Sequence, residues 1–304
     1  MHAEQLYFFR LFSLFRVLFE ELLLIDILFD AFLDTLKTLP FLFAAYLLIE
    51  FIEAKAEEKT VAIIHRAGKL GPVLGGVLGV IPQCGFSAAT ANLYVSGLIT
   101  RGTLLAVFLS TSDEMLPILI SHAAPAGFIF KVLAFKMIVG IFCGILIDLL
   151  DRRLHLSRER HIHDMCEQEG CNCEDGIFKS ALIHTLKIAA FLLAVNLALS
   201  FVIETLGEER LSGFLLNRPV IGQFLAALIG LIPNCASSVV LTDLYLQGGM
   251  SIGAMLAGLL TGSGVGILVL FRMDRRSKDR YLNLVLLYLC GVLFGLLAEL
   301  LPIF

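Results

Sequence analysis

Long apolar stretches separated by short polar segments dominate the pattern along the chain. The stretches with the length of a membrane-crossing helix include 30–52, 103–121, 127–150 and 180–203. A bilayer core of about 30 Å requires roughly 20 apolar residues in helical form. The pattern therefore predicts an all-α polytopic membrane protein.

Two shorter apolar runs, 70–81 and 86–98, lie between the first and second long stretches. Each run is too short to cross a bilayer as a straight helix, and Pro82 and Gly85 lie between them. Irregular backbone is tolerated at membrane depth only where protein buries it or where it lines a water-filled cavity. We therefore expect a broken or re-entrant helical hairpin centred on 82–87.

The chain repeats itself at an offset of about 151 residues. Pro82-Gln83-Cys84 recurs as Pro233-Asn234-Cys235, and glycines recur in the same register further along. The expected fold has two repeats, each made of three spanning helices and one broken hairpin. The expected domains are an interfacial amphipathic helix at 1–29, a first repeat at 30–150, a polar linker at 151–178 and a second repeat at 179–304.

Basic residues predict that the second repeat is inverted. The segments 53–69, 152–160 and 272–280 hold four, four and five Lys or Arg residues, whereas 121–129 and 204–219 hold none and two. Cytoplasmic loops of membrane proteins are enriched in Lys and Arg. We therefore expect an inner-membrane protein whose linker is cytoplasmic and whose C-terminus is outside. Inverted repeats with broken helices are typical of secondary transporters.

Composition supports the membrane-protein class and argues against a disulfide-bonded scaffold or a nucleic-acid-binding protein. Hydrophobic residues make up 58% of the chain and charged residues 16%, against about 25% charged in soluble domains. The seven cysteines lie partly in predicted helices, which argues against a disulfide framework. The net charge of −4 gives no reason to expect a nucleic-acid partner.

Three groups of polar residues in the apolar stretches predict a metal site. Cys84 and Cys235 occupy matched break tips, Asn92 matches Asp243 one repeat later, and Thr111–Glu114 lies near the middle of the span 103–121. A charged residue inside a membrane is costly and is by default a functional candidate. The full candidate set is Gln83, Cys84, Ser87, Asn92, Thr111, Ser112, Asp113, Glu114, Asn234, Cys235, Ser238 and Asp243.

The ligand chemistry leaves the ion open. Carboxylate, amide and hydroxyl groups suit hard ions such as Mn²⁺, whereas thiolates favour softer ions. Asp113 or Glu114 could instead form a structural ion pair with Lys131 or Lys136. The linker adds an accessory candidate set whose spacing fits no zinc-finger pattern: His161, His163, Cys166, Cys171 and Cys173.

The paired Pro-X-Cys motifs and Ser110-Thr111-Ser112-Asp113-Glu114 resemble the bacterial family of ten-helix heavy-metal exporters. The resemblance covers nearly the whole chain, and counting hairpin arms as helices gives five per half. It implies metal efflux through the inner membrane. It does not decide the metal, because members carry both arsenic-efflux and manganese-transporter labels.

These observations favour a secondary-active exporter of a divalent metal ion, with manganese first and protons as an expected coupling ion. The metal is the substrate, and no resident cofactor is expected. Arsenite or organoarsenical efflux is the alternative, and a membrane metal sensor or assembly protein is the alternative from another class. An enzyme with Cys84 as nucleophile is disfavoured because it would need a nearby base. A homo-oligomer remains open.

Overall fold

The computed structural model describes most of both predicted repeats. The described residues are 32–33, 35–36, 38–40, 42–44, 46–48, 70–81, 84–112, 114–153, 177–206, 220–234, 236–274 and 277–301. Across these ranges the secondary structure is helical, and they contain no β-strand. The prediction of an all-α membrane fold is confirmed. The predicted interfacial helix at 1–29 and most of the linker lie outside the described residues.

In the part of the chain that the structure describes, the helices fall into two sets of six in the same order. The first set is α1 (Thr38–Leu48), α2 (Gly71–Gly79), α3 (Cys84–Val95), α4 (Arg101–Ser110), α5 (Met115–Ser121) and α6 (Ala126–Arg153). The second set is α7 (Ile177–Leu206), α8 (Ile221–Gly230), α9 (Ala236–Leu246), α10 (Ile252–Thr261), α11 (Gly266–Met273) and α12 (Ser277–Leu300).

Among the described residues, four segments are long and apolar enough to cross a membrane: Arg101–Ser121, Ala126–Arg153, Ile252–Met273 and Lys278–Leu300. Shorter apolar helices accompany them in both halves, including α8 (Ile221–Gly230). Many large apolar side chains on the outer faces, such as Phe130 and Leu300, are exposed at 73% and 79%. Such surfaces suit contact with lipid rather than water.

Two of these spanning segments differ from expectation because each is broken in the middle. The stretch 103–121 reads as one continuous span, but α4 ends at Ser110 and α5 begins at Met115. In the second half, α10 ends at Thr261 and α11 begins at Gly266. Each half therefore contains two helix breaks, and the sequence pattern predicts one of them.

Local geometry is repeated closely between the halves. Gly97 and Gly248 end α3 and α9 with the same positive φ of 76°, a conformation that glycine adopts without steric cost. The next helix in each half is capped by a hydroxyl: Thr100 accepts from the Thr103 amide and Ser251 from the Ala254 amide, both at 3.2 Å. Such caps satisfy amides that lack a partner in the helix.

A carboxylate at the end of each long helix holds the start of the neighbouring broken helix. Asp148 of α6 accepts from the Gly102 amide at 2.8 Å, and Glu299 of α12 accepts from the Gly253 amide at 2.8 Å. The glycine is required sterically, because a Cβ on Gly102 would lie 2.1 Å from the Gly144 carbonyl oxygen. Both halves therefore use the same close backbone packing between their broken span and their long helix.

Helices of the two halves pack against each other in a reciprocal way. Helix α3 of the first half packs against α11 of the second, and α9 of the second packs against α5 of the first. At one end of the molecule, Arg101 at the start of α4 binds Asp151 near the end of α6 and Asp279 near the start of α12. The described residues of the α4–α5 and α10–α11 breaks are buried, with Thr111 and Ser112 at 2% and 1% exposed and Ser263 at 0%.

Candidate functional site

A small cavity lies where breaks from both halves meet. Its lining comes from the α4–α5 break, the α8–α9 break, the α10–α11 break and the long helix α6. The lining residues are Thr111, Ser112, Met115, Lys136, Asn234, Ser237, Ser238, Leu259, Gly262 and Gly264. The free space is comparable to one water molecule or one unhydrated ion. Four of the predicted site residues belong to this lining: Thr111, Ser112, Asn234 and Ser238. Glu114 lies two residues after Ser112, immediately before α5, and is not part of the lining.

The α4–α5 break opens because Thr111 leaves the helical conformation, with φ −55° and ψ 130°. Its hydroxyl donates to the Val107 carbonyl at 2.7 Å, and the Ser112 hydroxyl donates to the Ser110 carbonyl at 3.1 Å. Hydroxyl side chains compete in this way with the regular helical hydrogen bonds. The break therefore exposes oxygen atoms to the cavity while keeping its own polar groups partly satisfied.

The α10–α11 break is built differently, from glycine. Gly262 is extended with ψ 93°, and Gly264 has a positive φ of 54°. Between them, the Ser263 hydroxyl is fully buried and makes no hydrogen bond to the part of the protein that the structure describes. Buried polar groups without partners are unusual and call for an explanation such as a bound water or ion.

Lys136 places a cationic side chain in the wall of the cavity. It is 1% exposed, and its ammonium donates to the Thr111 carbonyl at the end of α4 and to the Leu259 carbonyl of α10, the latter at 2.8 Å. Helix C-termini carry partial negative charge and unpaired carbonyls, which favour a cation there. Lys136 thus ties the broken helices of the two halves together beside the cavity.

The α8–α9 break supplies the amide and hydroxyl side of the cavity. Asn234 is 7% exposed, and the Ser237 hydroxyl donates to its carbonyl at 2.8 Å. Ser238 begins the next turn and accepts from Thr242 through its own carbonyl at 2.7 Å. These hydrogen bonds fix the backbone of the α8–α9 break beside the cavity.

The equivalent residue in the first half, Ser87, lies elsewhere. It is fully buried, and its side chain is packed so closely to Gly266 that a Cβ there would meet the Ser87 Cβ at 2.8 Å. Gly266 begins α11, so this contact is the reciprocal of the packing between α9 and α5. Ser87 therefore lies at the α3–α11 contact and is not part of the cavity lining.

Asn92 and Asp243, which occupy matched positions in the repeat, also lie away from the cavity. Asn92 is fully buried and accepts a hydrogen bond from Tyr46 at 3.3 Å, and the Tyr46 ring stacks on His184. Asp243 lies 3.5 Å from His122 across the two halves, with both side chains more than one-third exposed. Neither residue shares the cavity with Thr111 and Asn234.

Several predicted ligands lie outside the described residues. They are Gln83, Asp113, Cys235, the side chain of Cys84 and the linker residues His161, His163, Cys166, Cys171 and Cys173. Within the described ranges, no group of three or more His, Cys, Asp and Glu side chains is arranged to hold a metal ion. The described part of the cavity is instead composed of hydroxyl, amide and carbonyl oxygens around one lysine.

Two residues that matter here were not selected as ligands from the sequence. The sequence pattern predicts Lys136 only as an ion-pair partner of Asp113 or Glu114, and it predicts no role for Arg101. Both are isolated basic residues at the edge of or within long apolar stretches. Intramembrane ionisable residues mark functional sites often enough that this isolation is the signal that would have identified Lys136.

The comparisons agree with a transport protein. A family model described as "Putative, 10TM heavy-metal exporter" matches residues 20–205, which is more than half of the chain. This range contains the first repeat, the linker and the beginning of the second repeat. The search of curated proteins and the search of solved structures each returned no match.

Proposed function

The chain belongs to this family of ten-helix heavy-metal exporters, and on that premise we propose that it exports a divalent metal ion by secondary active transport through the cavity between its broken helices. The observation that carries the proposal is the convergence of three helix breaks, from both halves, on one buried cavity. Discontinuous helices that meet inside a membrane protein expose backbone and side-chain groups to a substrate.

The proposed substrate is Mn²⁺. The lining side chains of Thr111, Ser112, Asn234 and Ser238 offer oxygen atoms, which hard divalent ions prefer. The ammonium of Lys136 would repel a bare cation, so the ion needs anionic partners. Asp113 and Glu114 adjoin the lining in sequence and are the proposed source of that charge.

The proposed transport cycle depends on inverted repeats. Arg101 at the start of α4 contacts Asp279 near the start of α12. Ile252 is the residue equivalent to Arg101 at the start of α10. The next amide, that of Gly253, donates to Glu299 near the end of α12. Helices α4 and α10 start at opposite ends of α12, and this supports an inverted arrangement in which one half rocks against the other.

Arsenite or an organoarsenical is the second candidate, and Lys136 is the observation that favours it. The cavity lining combines this ammonium with hydroxyl and amide side chains, which are groups that can hydrogen-bond an oxygen-rich neutral or anionic species. This candidate needs no carboxylate in contact with the substrate. The two candidates therefore differ in their expected response to loss of Asp113 or Glu114.

A growth test distinguishes these proposals. A bacterial strain sensitive to metals would express the chain and be grown with manganese, zinc, cadmium, cobalt, arsenite or antimonite. We expect restored tolerance to manganese, and its loss in Lys136→Met, because the carbonyls of Thr111 and Leu259 would lose their shared donor.

The matched control is Arg153→Met, at the exposed end of the same helix α6. It removes the same charge and should keep tolerance. Tolerance to arsenite alone would favour the second candidate. If no metal or metalloid tolerance is restored by a chain that reaches the membrane, the export proposal is wrong.

A further inference from the structure

Two cysteines outside the cavity lie in contact across the two halves. Cys143 is near the middle of α6, Cys290 is near the middle of α12, and both are free thiols. Their side chains are close enough to share a hydrogen bond. Next to them Phe142 and Phe294 pack edge to face with ring centroids 6.0 Å apart, so the two helices meet at this level.

The surroundings of the pair are apolar. Cys143 is 2% exposed within the main core cluster, beside Val139 at 2% and Leu287 at 1%, and Cys290 packs against that cluster. In the part of the chain that the structure describes, no third His, Cys, Asp or Glu joins them in a metal-binding group. A metal held here would have two sulfur ligands and little else.

We propose that Cys143 and Cys290 form a dithiol site for a soft divalent cation that accepts two-coordinate ligation, of which Hg²⁺ is the representative. Thiolates select soft ions. Zinc prefers four ligands, and this site lacks them. Monovalent copper would form a negatively charged bis-thiolate, whereas a divalent ion forms a neutral one, and an apolar interior strongly disfavours an isolated charge.

The binding step balances without an oxidant. Two S–H bonds break, two sulfur–metal bonds form, and two protons leave to solvent while the oxidation states stay unchanged. The bound ion joins the long helices of the two halves. If transport requires the halves to move as proposed above, occupancy of this site would stop that motion, but binding itself can be measured without any transport assay.

The test counts mercury on the purified full-length chain. The protein in detergent is treated with HgCl₂ and then washed with glutathione, which competes for ions held by one thiol. Mercury that remains is measured by mass spectrometry. We expect one atom fewer in Cys143→Ala, one fewer in Cys290→Val, and one fewer, not two, in the double variant.

This pattern is specific because a shared ion is lost once either thiol is removed. Valine is a suitable replacement at 290, since the first half has Val139 at the equivalent position. If that variant does not fold, Cys290→Ser repeats the count. Unchanged mercury in either single variant, or a loss of two atoms in the double variant, overturns the proposal.

Discussion

The contact between Arg101 and Asp279 offers the sharpest test of how the two halves are held together. Arg101 is 4% exposed at its side chain, binds Asp151 through two bonds of 2.8 and 3.0 Å, and binds Asp279 of the other half at 3.1 Å. We predict that Arg101 and Asp279 are energetically coupled, so that removing both costs less than the sum of the single losses.

The expected magnitude follows from burial. A hydrogen bond to a charged group contributes about 1.5–3 kcal/mol, and removing one partner of a fully buried pair costs about 3–5 kcal/mol. Asp151 and Asp279 keep side-chain exposures of 18% and 26%, so water can partly hydrate them. We therefore expect Arg101→Met to cost about 2–3 kcal/mol and the coupling with Asp279→Asn to be about 1–2 kcal/mol.

The assay is a double-mutant cycle on unfolding in mixed detergent micelles containing increasing sodium dodecyl sulfate. Helical content reports the unfolded fraction, and the four proteins of the cycle are measured under one set of conditions. A parallel cycle with Arg152→Met is the control, because Arg152 is exposed on α6 and carries the same charge. That second cycle should give a coupling below about 0.5 kcal/mol.

A coupling near zero for Arg101 and Asp279 would refute the view that this ion pair joins the halves. An equal coupling for Arg152 would show that the effect is a general response to charge.

Three further predictions address packing and the proposed site. Gly102→Ala should destabilise the protein by about 1–3 kcal/mol, because its Cβ would lie 2.1 Å from the Gly144 oxygen, whereas Gly127→Ala, with nothing within 4 Å, should not; equal melting temperatures would contradict this. Asp113→Asn should abolish manganese tolerance while membrane insertion stays normal, and retained tolerance would remove this carboxylate from the mechanism. Deleting 161–175 should raise the manganese concentration needed for half-maximal transport without stopping it; complete loss would show that the linker does more than collect metal.

The hairpin break could be predicted from the sequence because proline and glycine mark it. Pro82 and Gly85 interrupt an apolar run, and α2 ends at Gly79 while α3 begins at Cys84. The break at 111–114 could not be seen in the same way, since Thr111 and Ser112 are compatible with a helix and the average apolarity of 103–121 hides them. In the second half, Gly262 and Gly264 at the equivalent positions are the sequence signal for a helix break.

The cavity was predicted only in part. Matching the repeats placed the candidate residues at the helix breaks, but it assumed that matched residues face one point. Ser238 lines the cavity whereas Ser87 packs on Gly266, and Asn92 binds Tyr46 instead of the cavity. Side-chain direction depends on which helix of the other half packs alongside, and sequence periodicity contains no such information. Whether Cys84 and Cys235 face each other lies outside the described residues and stays a prediction.

The glycine contacts described for Gly102 and Gly144 also limit how each half can deform. The backbones of the two helices are in contact there. Sliding one helix past the other by a single turn would therefore bring a residue with a side chain to a position where only glycine fits. Helices α4 and α6 must then travel as one stiff body. Any displacement has to be absorbed at the bends next to them, where Gly97 already adopts a left-handed backbone, and that glycine becomes a natural pivot.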